Sequence, residues 1–207
     1  MEKVFKGAEA MKINRYQNVT LDSYEIYDSK QEKVLKRIKS EILANLTEHI
    51  NKGIWFLFWG ACGTGKTHLA HVILKQAEKV KAKYIDYYAL KPQVVCRPAK
   101  CRYITAPELI ALSKTSIDNE LANTELKDLK NCDFLILDEL GIGYNTDHER
   151  IFLHTFLGFR YDNRLSTLLI SNLGKRELQA YLTAPLWDRI KEAKWFAFTW
   201  ESYRGRR

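Results

Sequence analysis

Residues 55–70 read Trp55-Phe56-Leu57-Phe58-Trp59-Gly60-Ala61-Cys62-Gly63-Thr64-Gly65-Lys66-Thr67-His68-Leu69-Ala70. A run of large apolar side chains comes first, a glycine-rich turn follows, and the pattern of a helix begins after it. Gly60, Gly65, Lys66 and Thr67 fit the phosphate-binding loop pattern G-x-x-x-x-G-K-[ST] without a gap. Because the strand and the helix that this pattern requires are both predicted, we interpret the stretch as a phosphate-binding loop and not as a chance turn.

The chemistry expected of this loop is the binding of ATP together with Mg²⁺. Its glycines let backbone N–H groups surround an anion, and the start of the following helix adds a partial positive charge. Lys66 is expected to reach the β- and γ-phosphates, and the hydroxyl of Thr67 is expected to bind Mg²⁺. The residues predicted to surround the nucleotide are Gly60, Ala61, Cys62, Gly63, Thr64, Gly65, Lys66, Thr67 and His68.

The composition is that of one globular domain, with or without an additional arm. The chain has 207 residues, of which 46% are hydrophobic, and this is enough to form a core. The apolar runs are shorter than the ~20 residues of a membrane span, and the N-terminus lacks a signal-peptide pattern, so we expect a cytoplasmic protein without membrane contact. The four cysteines are expected to be thiols. The net charge of +8 favours a polyanionic partner, although basic residues also serve solubility.

We divide the chain into an N-terminal arm, residues 1–29, and a single domain, residues 30–207. The arm has mixed charge and no clear periodicity. Apolar residues then recur at every fourth position among charged ones, which predicts an amphipathic helix of about 20 residues that ends near Gly53. The recurring residues are Val34, Ile38, Ile42, Leu46 and Ile50.

Five apolar segments are predicted to be strands, and they alternate with helices. This alternation predicts an α/β fold, in which a mostly parallel five-stranded sheet is flanked by helices on both faces. Right-handed crossovers bring the carboxyl ends of parallel strands to one edge of the sheet. We therefore expect the phosphate loop, Asp138-Glu139 and Ser171-Asn172 to converge. The predicted strands are residues 54–59, 82–88, 134–139, 167–172 and 195–199.

The polar residues at this edge suggest ATP hydrolysis. Asp138 is expected to hold Mg²⁺ through its water shell, and Glu139 is expected to polarise the attacking water. An acidic pair that follows an apolar strand about 70 residues after a phosphate loop is typical of such sites. Asn172 is expected to orient this water or to contact the γ-phosphate. It would equally suit the N-cap of the next helix, and both interpretations stay open.

A basic segment, residues 87–107, is predicted to be a hairpin or a long loop. It contains four basic residues, of which Lys100 and Arg102 are candidates for DNA contacts, and it contains no acid. Its tyrosines, among them Tyr103, either stack on a nucleic-acid strand or pack against the domain. The capping box that begins at Thr105 predicts that a helix follows.

Motifs along the chain resemble those of the DnaC/IstB-like AAA+ ATPases, a family of replicative-helicase loaders and transposition helper proteins. The resemblance covers roughly residues 17–207 and looks closest to the DnaC-type loaders. It implies an AAA+ P-loop NTPase core that hydrolyses ATP, binds single-stranded DNA, and assembles into a ring or spiral. The matching segments, in chain order, are residues 60–67, 137–141, 170–173, 186–190 and 200–204.

The resemblance also implies roles for individual residues. Arg189 matches the arginine finger, which reaches the ATP of a neighbouring subunit; the alternative is a surface ion pair. Arg204 matches an arginine of the terminal motif and is expected to contact the nucleotide. Residues 106–130 match a helical insert that lines a single-stranded DNA path, and Lys114 lies there.

Two departures from the family are expected. Only a short arm precedes the ATPase domain, whereas loaders carry an N-terminal helical domain that grips the helicase. No C-terminal helical lid is expected after the last strand.

Four functions remain possible at this point. The first is a loader of a replicative DnaB-type helicase, and the second is an IstB-like helper that engages target DNA and a transposase. The third is a small-molecule kinase, which Asp138-Glu139 and Arg189 disfavour. The fourth is a docking module that keeps ATP as a structural ligand.

Overall fold

The computed structural model describes residues 16–86 and 91–204. Some of the predictions above lie outside the described residues: those on residues 1–15, on Tyr87 and Tyr88, and on residues 205–207. The described strands are β1 (Trp55–Gly60), β2 (Lys81–Asp86), β3 (Gln93–Pro98), β4 (Cys101–Thr105), β5 (Phe134–Leu140), β6 (Ser166–Ser171) and β7 (Lys194–Phe198).

The helices follow the predicted alternation with these strands. They are α1 (Ser29–Arg37), α2 (Leu46–Lys52), α3 (Lys66–Ala77), α4 (Ala106–Thr115), α5 (Glu120–Asn131), α6 (Asp147–Asp162), α7 (Lys175–Tyr181) and α8 (Ala184–Ile190). The capping box predicted at Thr105 is present, because the Thr105 hydroxyl accepts from the Glu108 N–H and the Glu108 carboxylate accepts from the Thr105 N–H. None of the helices within the described residues has the length and apolar character that crossing a membrane requires.

The first helical region is not a uniform α-helix. Between α1 and α2 the chain forms a π-helical turn, Ile38–Ile42, and then a 3₁₀ turn, Leu43–Asn45. A repeat of four residues drifts by about 40° per step around an α-helix with 3.6 residues per turn. The wider π turn offsets this drift, so that Ile38 and Ile42 are both fully buried. The region ends at Gly53, as predicted, in the left-handed conformation with φ of 70°.

The main sheet has five parallel strands in the order β4-β5-β6-β1-β7. The carboxyl ends of β1, β5 and β6 are adjacent, as predicted. β1 lies between β6 and β7, and its side chains enter cores on both faces of the sheet. Trp55 and Leu57 enter one core, and Phe56 and Phe58 enter the other. Burial of each of these side chains stabilises the fold by about 1.5–3 kcal/mol, which accounts for the uninterrupted apolar run.

The prediction that residues 82–88 form a strand of this sheet is wrong. β2 instead pairs antiparallel with β3 in a separate two-stranded hairpin. The missing strand of the sheet is β4, which lies within the segment predicted to be a hairpin or loop. β4 is one of the two edge strands of the sheet, and Arg102 is exposed on it, so this strand lacks the apolar run of a central strand.

Candidate nucleotide-binding site

The phosphate loop joins β1 to α3 in a tight turn that requires glycine at two points. Gly60 has φ of 135°, and a Cβ atom there would lie 2.1 Å from the backbone oxygen of Phe198. Gly65 has φ of 89°, and a Cβ atom there would lie 2.5 Å from the ring of Tyr24. These contacts keep the loop next to β7 and next to a segment that precedes α1.

The side chain of Lys66 is folded back onto the loop. Its Nζ donates hydrogen bonds to the backbone oxygens of Gly60 at 2.6 Å and Ala61 at 2.7 Å. Burial lowers the pKa of Lys66 from 10.5 to about 8; nearby Cys62 and Asp138 oppose the shift. The ammonium group is thus held at the loop, where a phosphate would replace the carbonyl oxygens as its partner.

Asp138, near the end of β5, is connected to the phosphate loop. Its Oδ2 atom accepts hydrogen bonds from the hydroxyl of Thr67 at 2.7 Å and from the hydroxyl of Tyr103 at 3.0 Å. Its Oδ1 atom accepts from the backbone N–H of Glu139 at 2.7 Å. Asp138 is 4% exposed, and these three donors fix the orientation of its carboxylate.

This arrangement fits Mg²⁺ bound together with phosphates. The hydroxyl of Thr67 and the carboxylate of Asp138 are oxygen ligands of the kind that Mg²⁺ prefers, and the hydrogen bond between them shows that they converge. In residues 16–86 and 91–204, no three His, Cys, Asp or Glu side chains form a group that could hold a metal by themselves. The remaining ligands would therefore come from phosphate and water, as is usual for Mg²⁺.

Glu139 and Asn172 both line the cleft above the phosphate loop. Glu139 is exposed and has φ of 59°, a left-handed conformation that is uncommon for a residue with a side chain. Such strain is often found at functional sites, where it aims a side chain. The alternative interpretation of Asn172 is wrong, because the N-cap of α7 is Gly174, with the Glu177 side chain accepting from its N–H.

The cleft has a volume of about 830 Å³, and part of its wall comes from residues predicted to form an N-terminal arm. Tyr16, Ser23, Tyr24 and Tyr27 all line it. Tyr24 is buried, and its hydroxyl donates to the backbone oxygen of Thr64 at 3.1 Å. These contacts have no local sequence signal, because they join residues 40 positions apart.

Residues near the C-terminal end of the described chain also contact the phosphate loop. The indole N–H of Trp200 donates to the oxygen of Thr64 at 3.0 Å, and the backbone N–H of Tyr203 donates to the oxygen of Gly63 at 2.9 Å. The hydroxyl of Tyr203 donates to the backbone oxygen of Glu25 at 2.6 Å. Both ends of the described chain therefore meet over the phosphate loop.

Of the predicted nucleotide contacts, residues 62–68 and Arg204 line this cleft, whereas Gly60 and Ala61 are not among its lining residues. Arg204 lines it beside the loop. His68 also lines it, and its Nε2 atom lies 3.2 Å from the Ser23 hydroxyl and 3.2 Å from the Thr20 oxygen. His68 therefore connects α3 to the segment that precedes α1.

Arg189, in α8, lies away from the cleft. Its guanidinium group is 3.1 Å from the carboxylate of Asp162 and lies over the ring of Tyr161, 5.3 Å from the centroid. The ion pair that is the alternative to an arginine-finger role for Arg189 is therefore present. Arg189 is not among the residues that line its own cleft.

The three residues predicted to contact DNA are not among those that line the cleft. Lys100 directly precedes β4 and Arg102 is its second residue, whereas Asp138 pairs with Thr105 at the other end of that strand. Arg102 is exposed and lies 3.8 Å from the carboxylate of Asp128. Lys114 is exposed on α4. Tyr103 packs against the domain, the second of the two alternatives above, and its hydroxyl donates a hydrogen bond to Asp138.

The sheet order, the phosphate loop after β1 and the acidic pair in β5 together define an α/β P-loop fold. The chain is 28% identical to the replicative helicase loader DnaC of Buchnera aphidicola subsp. Acyrthosiphon pisum (strain APS), over 98% of this chain and 80% of that protein. The resemblance that the motifs predict is thus confirmed. No protein-family model matches the chain.

Solved structures show the same fold. The crystal structure of the DnaC helicase loader matches with a TM-score of 0.72 and 24% identity, over 90% of this chain and 99% of that one. The replication initiator DnaA bound to AMPPCP and single-stranded DNA matches with a TM-score of 0.65 and 17% identity, over 90% of this chain and 50% of that one.

Proposed function

We propose that this protein is an ATP-hydrolysing assembly factor that loads a replicative DnaB-type helicase onto single-stranded DNA. The observation that carries the ATPase part is the hydrogen bond between Thr67 and Asp138, which joins the phosphate loop to the acidic pair. The loader part is supported by a relative named replicative helicase loader that aligns with 98% of this chain.

In this proposal each residue at the cleft has a defined task. Lys66 binds the β- and γ-phosphates once it releases the backbone oxygens of Gly60 and Ala61. Thr67 and Asp138 would hold Mg²⁺, which supplies charge neutralisation on the phosphate oxygens when it is bound. Glu139 orients and polarises the attacking water, and Asn172, at the end of the neighbouring strand, helps to place it.

Arg189 and Arg204 complete the site from different directions. Arg204 contacts the nucleotide of its own chain, since it lines the cleft. Arg189 acts on the nucleotide of a neighbouring subunit, since it lies outside its own cleft. ATP is then bound fully only between two copies, which makes assembly depend on the nucleotide.

Lys114 on α4 is proposed to bind DNA phosphates, because it is exposed and lies on the element that resembles the DNA-lining insert. Lys100 and Arg102 form a second candidate DNA contact. They lie near the end of β4 that is farther from Asp138. The replication initiator DnaA, which has this fold, has been solved bound to single-stranded DNA, and this supports a similar capacity here.

The IstB-like alternative receives no specific support from the site. The ATPase residues are common to both functions, and the relative described above is named for helicase loading. The loader function is therefore the one that we propose.

The decisive experiment measures nucleotide binding and DNA binding with the same protein. Fluorescence anisotropy with a single-stranded dT oligonucleotide is expected to show binding that requires ATP and weakens steeply with salt. Lys114→Ala is expected to weaken binding and flatten the salt slope by about one unit. Lys79→Ala, which removes an exposed lysine from the turn that follows α3, is the matched control. Absence of DNA binding at low salt with ATP present would contradict the loader function, and absence of nucleotide binding would contradict the ATPase assignment.

A further inference from the structure

The register of the strands places Tyr103 next to Asp138, the carboxylate proposed to bind the metal. In the parallel pair β4–β5, Tyr103 is opposite Ile136 and Thr105 is opposite Asp138. Residues two positions apart on a strand share a face, so Tyr103 and Asp138 project from the same face of the sheet. The tyrosine side chain then extends along the strand until its hydroxyl reaches Oδ2 of Asp138 at 3.0 Å.

The ring of Tyr103 is held by an aromatic stack. Its centroid lies 4.5 Å from that of His71, and the ring of Tyr16 stacks on His71, also at 4.5 Å. Thr67 and His71 are four residues apart on α3 and therefore lie on one face of that helix. One helix face thus contacts both the carboxylate of Asp138 and the ring that carries the second donor to it.

The hydroxyl of Tyr103 acts as a donor here. Burial and the neighbouring carboxylate of Asp138 raise its pKa above the ordinary value, so the phenol keeps its proton at neutral pH. Its proton and that of Thr67 both point to Oδ2, while the N–H of Glu139 points to Oδ1. Thr67 and Glu139 belong to the expected nucleotide site. Tyr103 is the third donor and was not predicted to be part of that site.

We propose that Tyr103 is a positioning residue for metal binding, whose hydroxyl fixes the carboxylate of Asp138 in the orientation that it shares with Thr67. It touches neither nucleotide nor water in this role and acts only through Asp138. Partners that orient a metal-binding group are typically worth 10–100-fold in metal affinity. This inference rests on the proposed binding of nucleotide with Mg²⁺.

The test uses Tyr103→Phe, which removes the hydroxyl and keeps the stacked ring. Binding of AMPPCP is measured by titration calorimetry in EDTA and then over a series of Mg²⁺ concentrations. Without metal, the variant is expected to bind AMPPCP within about twofold of the wild type. The Mg²⁺ concentration that gives half of the metal-dependent gain in affinity is expected to rise about tenfold, and excess Mg²⁺ is expected to restore the affinity.

Tyr84→Phe is the matched control, since it removes the same hydroxyl from an exposed residue of the hairpin. It is expected to behave as the wild type. A wild-type Mg²⁺ response of Tyr103→Phe, or an equal loss of affinity with and without metal, would overturn the inference while leaving the proposed function intact. Wild-type protein that binds no AMPPCP under any condition would overturn the proposed function itself.

Discussion

The hydroxyl of Thr67 donates a hydrogen bond to Oδ2 of Asp138 across 2.7 Å, between residues that are 71 positions apart in the chain. Thr67 belongs to the first turn of α3 and Asp138 to β5, so this bond joins the two segments that sequence motifs identify separately. The residues proposed to bind the metal and to activate water are tested below one at a time.

Glu139→Gln is expected to bind ATP normally and to hydrolyse it about 10²–10⁴-fold more slowly. The amide keeps the size of the side chain and loses the charge that polarises water, and the cleft-lining position of Glu139 supports this role. Phosphate release measures hydrolysis, and calorimetry measures binding. Glu120→Gln, at an exposed position in α5, is the control. Wild-type turnover in Glu139→Gln would assign the catalytic role to another residue.

Nucleotide affinity is expected to fall at alkaline pH because of Lys66. Its pKa is lowered to about 8 by burial, so the free protein loses this positive charge as the pH rises through 8. Bound phosphates favour the charged form, so affinity for ADP is expected to decrease about 10–30-fold between pH 7 and 9.5. Calorimetry at several pH values tests this. Lys66→Ala is expected to bind ADP too weakly to measure, and an unchanged affinity of this variant would contradict the site.

The same pKa shift has an effect of opposite sign on folding. The unfolded chain keeps the Lys66 proton up to the ordinary pKa of 10.5, whereas the folded protein releases it near 8. Between these two values the unfolded state binds more protons. This group therefore makes the free energy of unfolding rise with pH in that range. Loss of affinity at pH 9 thus does not result from unfolding caused by Lys66.

The sequence predicts the phosphate loop, the acidic pair and most of the elements, because these depend on local patterns. The capping box at Thr105 and the apolar run of β1 are two examples. β4 was not predicted, because an edge strand that keeps Arg102 exposed lacks a continuous apolar pattern. The contact of Tyr24 with Thr64 was not predicted either, because it joins residues far apart in the chain.

Arg160 is another residue that sequence patterns do not identify. It is fully buried in α6, and its guanidinium group has no carboxylate among its hydrogen-bond partners within the described residues. Instead it donates to backbone oxygens at the end of α5 and to the start of β6. The acceptors are the backbone oxygens of Leu129, Lys130, Cys132 and Ser166, the hydroxyl of Thr167 and the sulfur of Cys132.

Arg160→Met is expected to lower the free energy of unfolding by about 3–5 kcal/mol, because it leaves these buried acceptors without a donor. Urea unfolding, followed by tryptophan fluorescence, measures the change. Arg176→Met, at an exposed position in α7, is the control and is expected to stay within about 0.5 kcal/mol of the wild type. Equal stability of both variants would show that the contacts of Arg160 are dispensable.

Arg189→Ala is expected to leave the nucleotide affinity of the monomer nearly unchanged, because Arg189 does not line its own cleft. Hydrolysis by the assembled protein is expected to fall about 10³–10⁵-fold, as for other arginine fingers. Asp162→Ala is the matched control, since it removes the same ion pair and keeps the arginine. If the ion pair alone mattered, both variants would lose the same activity. If Arg189 acts in a neighbouring subunit, Asp162→Ala retains most of the hydrolysis.

Assembly provides the second measurement for Arg189. A finger that reaches the next subunit requires a heterologous contact, which generates a ring or an open spiral and not a two-fold dimer. ATP is therefore expected to drive oligomers that ADP releases, as measured by light scattering. A mixture of Arg189→Ala and Lys66→Ala proteins is expected to show little turnover, because only one kind of interface in it has both an intact phosphate loop and an arginine finger. An unchanged monomer in ATP, ADP and no nucleotide, with DNA and helicase present, would exclude this mechanism.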